Sequence, residues 1–136
     1  MVEIDIEYEG DLHCKATHGP SRATLATDAP VDNQGRGEAF SPTDLLATSL
    51  GVCMMTVMGI HARARGFELK GTRVHVTKEM VADPRRRVGV LGVTFAMPKG
   101  IDPAQRAPLE RAGRTCPVAL SLHPGVKVDA VFRYGD

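Results

Sequence analysis

The side chains in this 136-residue sequence with the most chemical potential are its three thiols, Cys14, Cys53 and Cys116. The thiolate is the reactive form, so the question for each is what would bring its pKa below the free-thiol value of about 8.5. Cys116 directly precedes Pro117 at a predicted helix start, where unpaired backbone N–H groups and the helix dipole favour a thiolate. Cys53 falls inside a predicted helix, where burial alone would make it inert. Its reactivity would need a positive neighbour from elsewhere, and arginine is the natural donor. Cys14 sits on a predicted strand beside His13, with His18 four residues on. Each thiol also has a plain reading as a structural core residue, and the residues alone leave that open. A metal site joining Cys14 or Cys116 to His13, His18 or His123 has no recognised zinc spacing. Neither a nucleotide-binding loop nor a hydrolase elbow is present.

Cys53 is positioned by residues 41–66, S-P-T-D-L-L-A-T-S-L-G-V-C-M-M-T-V-M-G-I-H-A-R-A-R-G. Ser41 is a helix cap, Pro42 suits the first helical position, and Asp44 completes a capping pattern three residues on. Arg63 and Arg65 suit the far end of the dipole, and Gly66 suits the left-handed cap. Leu45, Leu46, Leu50, Val52, Met54, Met55, Val57, Met58 and Ile60 are spread round this helix, which predicts burial on most sides.

Before it, Val2, Ile4, Ile6 and Tyr8 alternate with acids, the period of a half-buried strand. A turn at Gly10-Asp11 leads to a second strand through Leu12, Cys14 and Ala16. A third covers residues 22–27, and a 13-residue turn-rich loop, 28–40, follows. Loops this long in small domains are often functional. After Gly66 come a strand over 69–80 and another over 85–97. In the latter, Val88 and Val90 share one parity while Leu91, Val93, Phe95 and Met97 share the other, which predicts a bulge near Leu91-Gly92. Asp102-Pro103 opens a helix that Pro108 should kink or restart. Pro117 opens a shorter one, and Val126, Val128, Ala130 and Phe132 mark a last strand. The order β-β-β-α-β-β-α-α-β predicts an α+β domain of mostly antiparallel sheet around a long central helix.

The chain reads as one domain: N-terminal strands and loop (1–40), central helix (41–66) and a C-terminal β-β-α-α-β part (67–136). Seventeen basic against 16 acidic residues leave no field to recruit nucleic acid or an anionic membrane. The apolar run in the helix is interrupted by Thr48, Ser49 and Thr56 and falls short of the roughly 20 residues of a membrane span. The acidic N-terminus is unlike a secretory signal, and an odd number of cysteines without a framework spacing fits a reducing compartment. A cytoplasmic protein is expected.

The helix sequence S-P-T-D-L-L-A-T-S-L-G-V-C, the upstream T-D-A-P-V-D-N-Q-G-R-G-E-A-F, and C-P-V before a closing G-V-K-V strand together resemble the OsmC/Ohr family of thiol-dependent peroxidases. The resemblance runs from the first strand to the last and is greatest to the OsmC-like branch with S-P-T-D-L-L. It implies an intertwined homodimer with the cysteine helices at its centre and organic hydroperoxides as substrates in antioxidant stress defence. By position Cys53 matches the peroxidatic cysteine and Cys116 the resolving one, with a dithiol reductant and no cofactor or metal. The site would be apolar, flanked by residues such as Leu50, Met54 or Phe40. The family glutamate after the helix-start proline is replaced here by Thr43. Asp44 stands about 100° further round the helix, where it suits capping instead. Arg36, then Arg22, are the candidates for the family's activating arginine. The alternative to a peroxidase is an apolar-ligand binding or sensing protein of the same architecture.

Overall fold

The computed structural model describes residues 1–135, which form two compact units divided between Leu46 and Ala47. In the first, the alternation of apolar and acidic residues produces β1 (Ile4–Tyr8), followed by β2 (His13–His18) and β3 (Thr24–Asp28) in one antiparallel meander. Leu12, expected on the second strand, belongs instead to the turn, where Gly10, Asp11 and Leu12 all have positive φ. Register places Ile4, Ile6, Tyr8, Cys14, Ala16 and Leu25 on one face. That face is open: Ile6 is 69 % exposed, so the expected half-burial of β1 is not met within one chain. The loop 29–40 holds one 3-10 turn, Val31–Asn33.

Helix α1 (Pro42–Ala64) starts and stops on its sequence signals. The Ser41 hydroxyl accepts from the Asp44 N–H at 3.0 Å, and the Asp44 carboxylate accepts from the Ser41 N–H at 2.9 Å, a reciprocal capping box. At the other end Gly66 has φ +79°, the Phe67 N–H reaches the Ala62 carbonyl, and the Gly66 N–H reaches that of Arg63. This is a Schellman cap. Burial is narrower than the sequence suggested. Ala47, Leu50, Gly51, Met54, Met58 and Ala62 form a single buried stripe, while Val52 and Ile60 on the opposite side are 60 % and 63 % exposed. Within the second unit α1 meets one sheet and one helix pair, and its far side stays open. Contrary to expectation, α1 is also long and apolar enough to cross a membrane by length and composition. Its buried stripe is that of a core helix.

The second unit continues with β4 (Arg73–Val81), β5 (Arg87–Met97), α2 (Pro103–Arg114), α3 (Pro117–Ser121) and β6 (Lys127–Tyr134). β5 is the central strand, and Leu91, Val93 and Phe95 on it are fully buried. The phase change is a bulge as expected, but at Gly89: Glu79 faces Val90 and Met80 faces Val88, leaving Gly89 unpaired. A Cβ there would lie 2.5 Å from Val81 Cγ1, which explains the glycine. Gly92 stays in the regular ladder opposite Thr77. The β5–β6 pairing departs from the antiparallel expectation: it is parallel, because α2 and α3 carry the chain back across the sheet before β6 begins. Phe95 and Phe132, directly opposite in that register, stack with centroids 4.8 Å apart. Arg106 lies over the Tyr134 ring, and the Tyr134 hydroxyl donates to Glu110 at 2.7 Å. Thus β6 is clamped to α2 as well as to β5. Helix α2 runs through Pro108 without restarting.

Two glycines set the spacing of these layers. A Cβ at Gly51 would stand 2.7 Å from Val76 Cγ2 of β4, and one at Gly113 would stand 2.8 Å from Met58 Sδ of α1. Real Cβ contacts are not that short, so the α1 backbone at Gly51 lies directly on the Val76 side chain and the α2 backbone at Gly113 directly on the Met58 side chain. Gly113→Val is expected to lower stability by about 1–3 kcal/mol through overpacking. Urea unfolding would show this as a reduced midpoint with an unchanged slope. An unchanged midpoint would contradict the close approach.

Candidate functional site

The close packing of α1 against α2 has a chemical result. The last turn of α2 is closed by the Thr115 hydroxyl, which donates to the Arg111 and Ala112 carbonyls. The Cys116 N–H then reaches the Gly113 carbonyl at 3.3 Å, so the glycine that touches α1 also fixes the backbone of Cys116. Cys116 caps α3, and its sulfur accepts from the Ala119 N–H at 3.4 Å. Cys53 is among the groups that act on the Cys116 thiol, which places the two side chains close together. The two cysteines, distant in sequence, are neighbours within a single chain, and both are free thiols.

Their environments differ. Cys53 is partly exposed, whereas Cys116 is completely buried. Burial is the largest influence on the Cys116 thiol and raises its pKa. The Ala119 and Val118 N–H groups act the other way, and neighbouring Cys53 adds to the rise. The expectation that a helix start would favour a Cys116 thiolate is therefore overturned: dehydration outweighs two backbone donors. Burial holds Cys116 as the thiol.

Of the other expected site residues, Leu50 and Met54 are fully buried in the core stripe and flank no open space, while Phe40 is 55 % exposed. Arg36 belongs to the first unit, where its guanidinium lies 3.9 Å from the Asp11 carboxylate. Arg22 has φ +62° in the turn before β3. Thr43 shares a hydrogen bond with the Ser41 hydroxyl at 3.3 Å. His13 is engaged by Asp28, His18 by Ser21, and His123 by the Gly125 N–H. Among the described residues no group of three or more His, Cys, Asp or Glu side chains could hold a metal. An open groove of about 500 Å³ runs beside the C-terminal half of α1, lined by Thr56, Gly59, Ile60, Arg63, Phe67 and Glu68.

One polar residue escaped the sequence reading altogether. Asp28 looked like the first residue of a polar loop, yet it is only 2 % exposed and sits 2.6 Å from His13 Nδ1. The signal available was strand pairing, since His13 and Asp28 stand opposite each other in the β2–β3 register.

The comparisons with known proteins agree with this architecture. Residues 35–131 match the family described as OsmC-like protein. A crystal structure from Psychrobacter arcticus 273-4, named for osmotic stress induction and a detoxification response, is 44 % identical with a TM-score of 0.92. That match covers 98 % of this chain and 96 % of the other. The organic hydroperoxide resistance protein OsmC of Legionella pneumophila is 16 % identical with a TM-score of 0.74, over 97 % and 96 % of the two chains. OhrB of Bacillus subtilis, also an organic hydroperoxide resistance protein, is 14 % identical with a TM-score of 0.70 over 98 % of each. At those identities the last two show the fold alone. No curated protein matches the chain. With the family match spanning most of its length, the chain belongs to the OsmC-like family.

Proposed function

We propose that this protein is a thiol peroxidase that reduces organic hydroperoxides through Cys53 and Cys116. The observation that carries the reading is the nearness of these two thiols, one partly exposed and one buried. The Cys53 thiolate attacks the terminal oxygen of the hydroperoxide, the O–O bond breaks, and an alcohol leaves once the departing oxygen takes a proton. Cys53 is left as a sulfenic acid. The Cys116 sulfur, already beside it, then attacks the Cys53 sulfur, water leaves, and a disulfide forms. A dithiol reductant returns both thiols with two electrons. Keeping Cys116 protonated through the first step suits this order, because only one sulfur is then nucleophilic when peroxide arrives. Arg36 is the candidate positive charge for the Cys53 thiolate, with Arg22 second. The open apolar surfaces at Ile4, Ile6 and Tyr8, and at Val52 and Ile60, support the homodimer that the family resemblance implies. The cytoplasm, where dithiol reductants are kept reduced, is the proposed location.

A second reading, an apolar-ligand binding or sensing protein without turnover, has one observation in its favour. The groove along α1 has an apolar floor at Ile60 and Phe67 and charges at Arg63 and Glu68, enough for a small amphipathic molecule. Native mass spectrometry that finds a retained lipid-like ligand, with Cys53 inert to alkylation at neutral pH, would decide for it.

Substitution separates the two thiols. Cys53→Ser should abolish consumption of cumene hydroperoxide supplied with a dithiol. Cys116→Ser should retain the first oxidation but accumulate sulfinic and sulfonic acid at Cys53, visible by mass spectrometry. A wild-type protein that leaves the hydroperoxide untouched would end the peroxidase reading.

The ionisation of Cys116 gives a further check. Its raised pKa means that the folded protein keeps this proton after an unfolded chain would have lost it, so the associated stability is complete below the ordinary value of 9.0 and is lost as pH climbs through the folded value. The midpoint of the pH profile of Cys116 alkylation should lie higher in the folded protein than in the urea-unfolded chain, and Cys53→Ser should bring it part of the way down. A folded midpoint at or below that of the unfolded chain would show the assignment of burial to be wrong.

A further inference from the structure

The loop 29–40 is built with little freedom. A Cβ at Gly35 would fall 1.8 Å from the Ala29 carbonyl oxygen, and Gly37 has φ +64°, so neither position accepts another residue without a change of path. The Gly35 N–H reaches Pro30 O at 2.9 Å, and the Gly37 N–H reaches Ala29 O at 3.2 Å. The C-terminal end of the loop returns to one residue. The Asp28 N–H donates to the Phe40 carbonyl at 3.2 Å, and the Asp28 Oδ2 accepts from the Glu38 N–H at 3.0 Å. Its other oxygen, Oδ1, is 2.6 Å from His13 Nδ1, and His13 Nε2 in turn lies 3.4 Å from the Glu9 carboxylate. A carboxylate that is 2 % exposed costs free energy to bury unless its oxygens are satisfied, and here both have partners.

We propose that Asp28 is the positioning residue of the loop 29–40: oriented by His13 and Glu9, it pins Glu38 and Phe40 and thereby fixes where Arg36 is held. Arg36 lies between Asp28 and the pinned Glu38, and its guanidinium is 3.9 Å from the Asp11 carboxylate. The charged groups around the Asp28 carboxylate are His13 from β2, Glu9 from the turn after β1, and Arg36 from the loop itself. Its pKa lies below the ordinary 3.8, first through the His13 hydrogen bond, then through the Glu38 N–H, the His13 charge and Arg36, with burial opposing. A lowered value means that the anchor is in force above pH 3.8 and is lost only as pH falls through the folded value. It stays closed across the neutral range. The bearing of this anchor on peroxide chemistry rests on the thiol-peroxidase reading; the anchor itself does not.

Hydrogen exchange of the full chain at pH 7 tests it. In Asp28→Asn, which keeps the shape and removes the charge, the Gly35, Gly37 and Glu38 amides should lose at least tenfold in protection, with β4–β5 amides unchanged as the internal reference. His13→Gln, which leaves Asp28 in place, should loosen the same amides by a smaller factor and covers the case in which the first variant fails to fold. Loop protection within twofold of wild type in a folded variant would overturn the proposal. In the same samples the pH profile of Cys53 alkylation should move in Asp28→Asn in the direction it moves in Arg36→Ala. A profile that moves in Arg36→Ala but not in Asp28→Asn would also overturn it. If Arg36→Ala itself leaves the profile unmoved, the fault lies with Arg36 in the peroxidase reading, and the exchange data alone decide the anchor.

Discussion

The larger unit depends on how closely α1 approaches its neighbours. At Gly51 and Gly113 the space left for a side chain is smaller than a methyl group, so the α1 backbone rests on the Val76 side chain of β4 and the α2 backbone on the Met58 side chain of α1. Interiors are packed nearly as densely as organic crystals, and such contacts leave little room for the helices to slide. The Met54 and Met58 side chains fill the seam, both fully buried. Because Gly113 also accepts the Cys116 N–H, the position of one sulfur is coupled directly to the packing that positions the helix bearing the other. The thiol pair is a product of helix spacing rather than of any motif around either cysteine.

Within that frame, water access divides the labour. Two neighbouring sulfurs of the same chemical kind are made unequal because one borders solvent and the other does not. The backbone N–H groups at the start of α3 would favour an anion at Cys116, but dehydration costs more than two weak donors to sulfur return. In the smaller unit the balance tips the other way. Asp28 is as thoroughly enclosed as Cys116, yet a short hydrogen bond from His13 and a backbone N–H from Glu38 keep it in its charged form. Oxygen accepts strong, charge-assisted hydrogen bonds and sulfur does not.

Much of this was legible beforehand. The capping box at Ser41 and Asp44, the Gly66 stop, the meander and the element order all follow from local residue chemistry, which acts over three or four positions and needs no tertiary context. The likeness carried by Ser41-Pro42, Cys53 and Cys116-Pro117 anticipated the family and its fold. What escaped was set by long-range contact. The apolar residues of α1 were read as covered all round, because sequence cannot tell a face buried by the same chain from one left open. The bulge was placed at Leu91-Gly92 since parity locates a phase change only to within two or three residues. Gly89 carries it because Val81 on the facing strand allows nothing larger. Alternation likewise cannot distinguish parallel from antiparallel pairing, and Asp28 hid among turn residues until strand register put His13 opposite it.

The parallel pairing of β5 and β6 bears on how the chain brings its two thiols together. Antiparallel neighbours such as β4 and β5 zip from a tight turn, whereas β6 can register against Val90 only after a long crossover has closed on itself, an entropic toll that falls late in folding. Cys116 rides on that crossover. Until Phe132 has stacked on Phe95, the segment bearing Cys116 lacks the strand that closes it. The nearness of the two sulfurs is thus a property that arrives with the last strand.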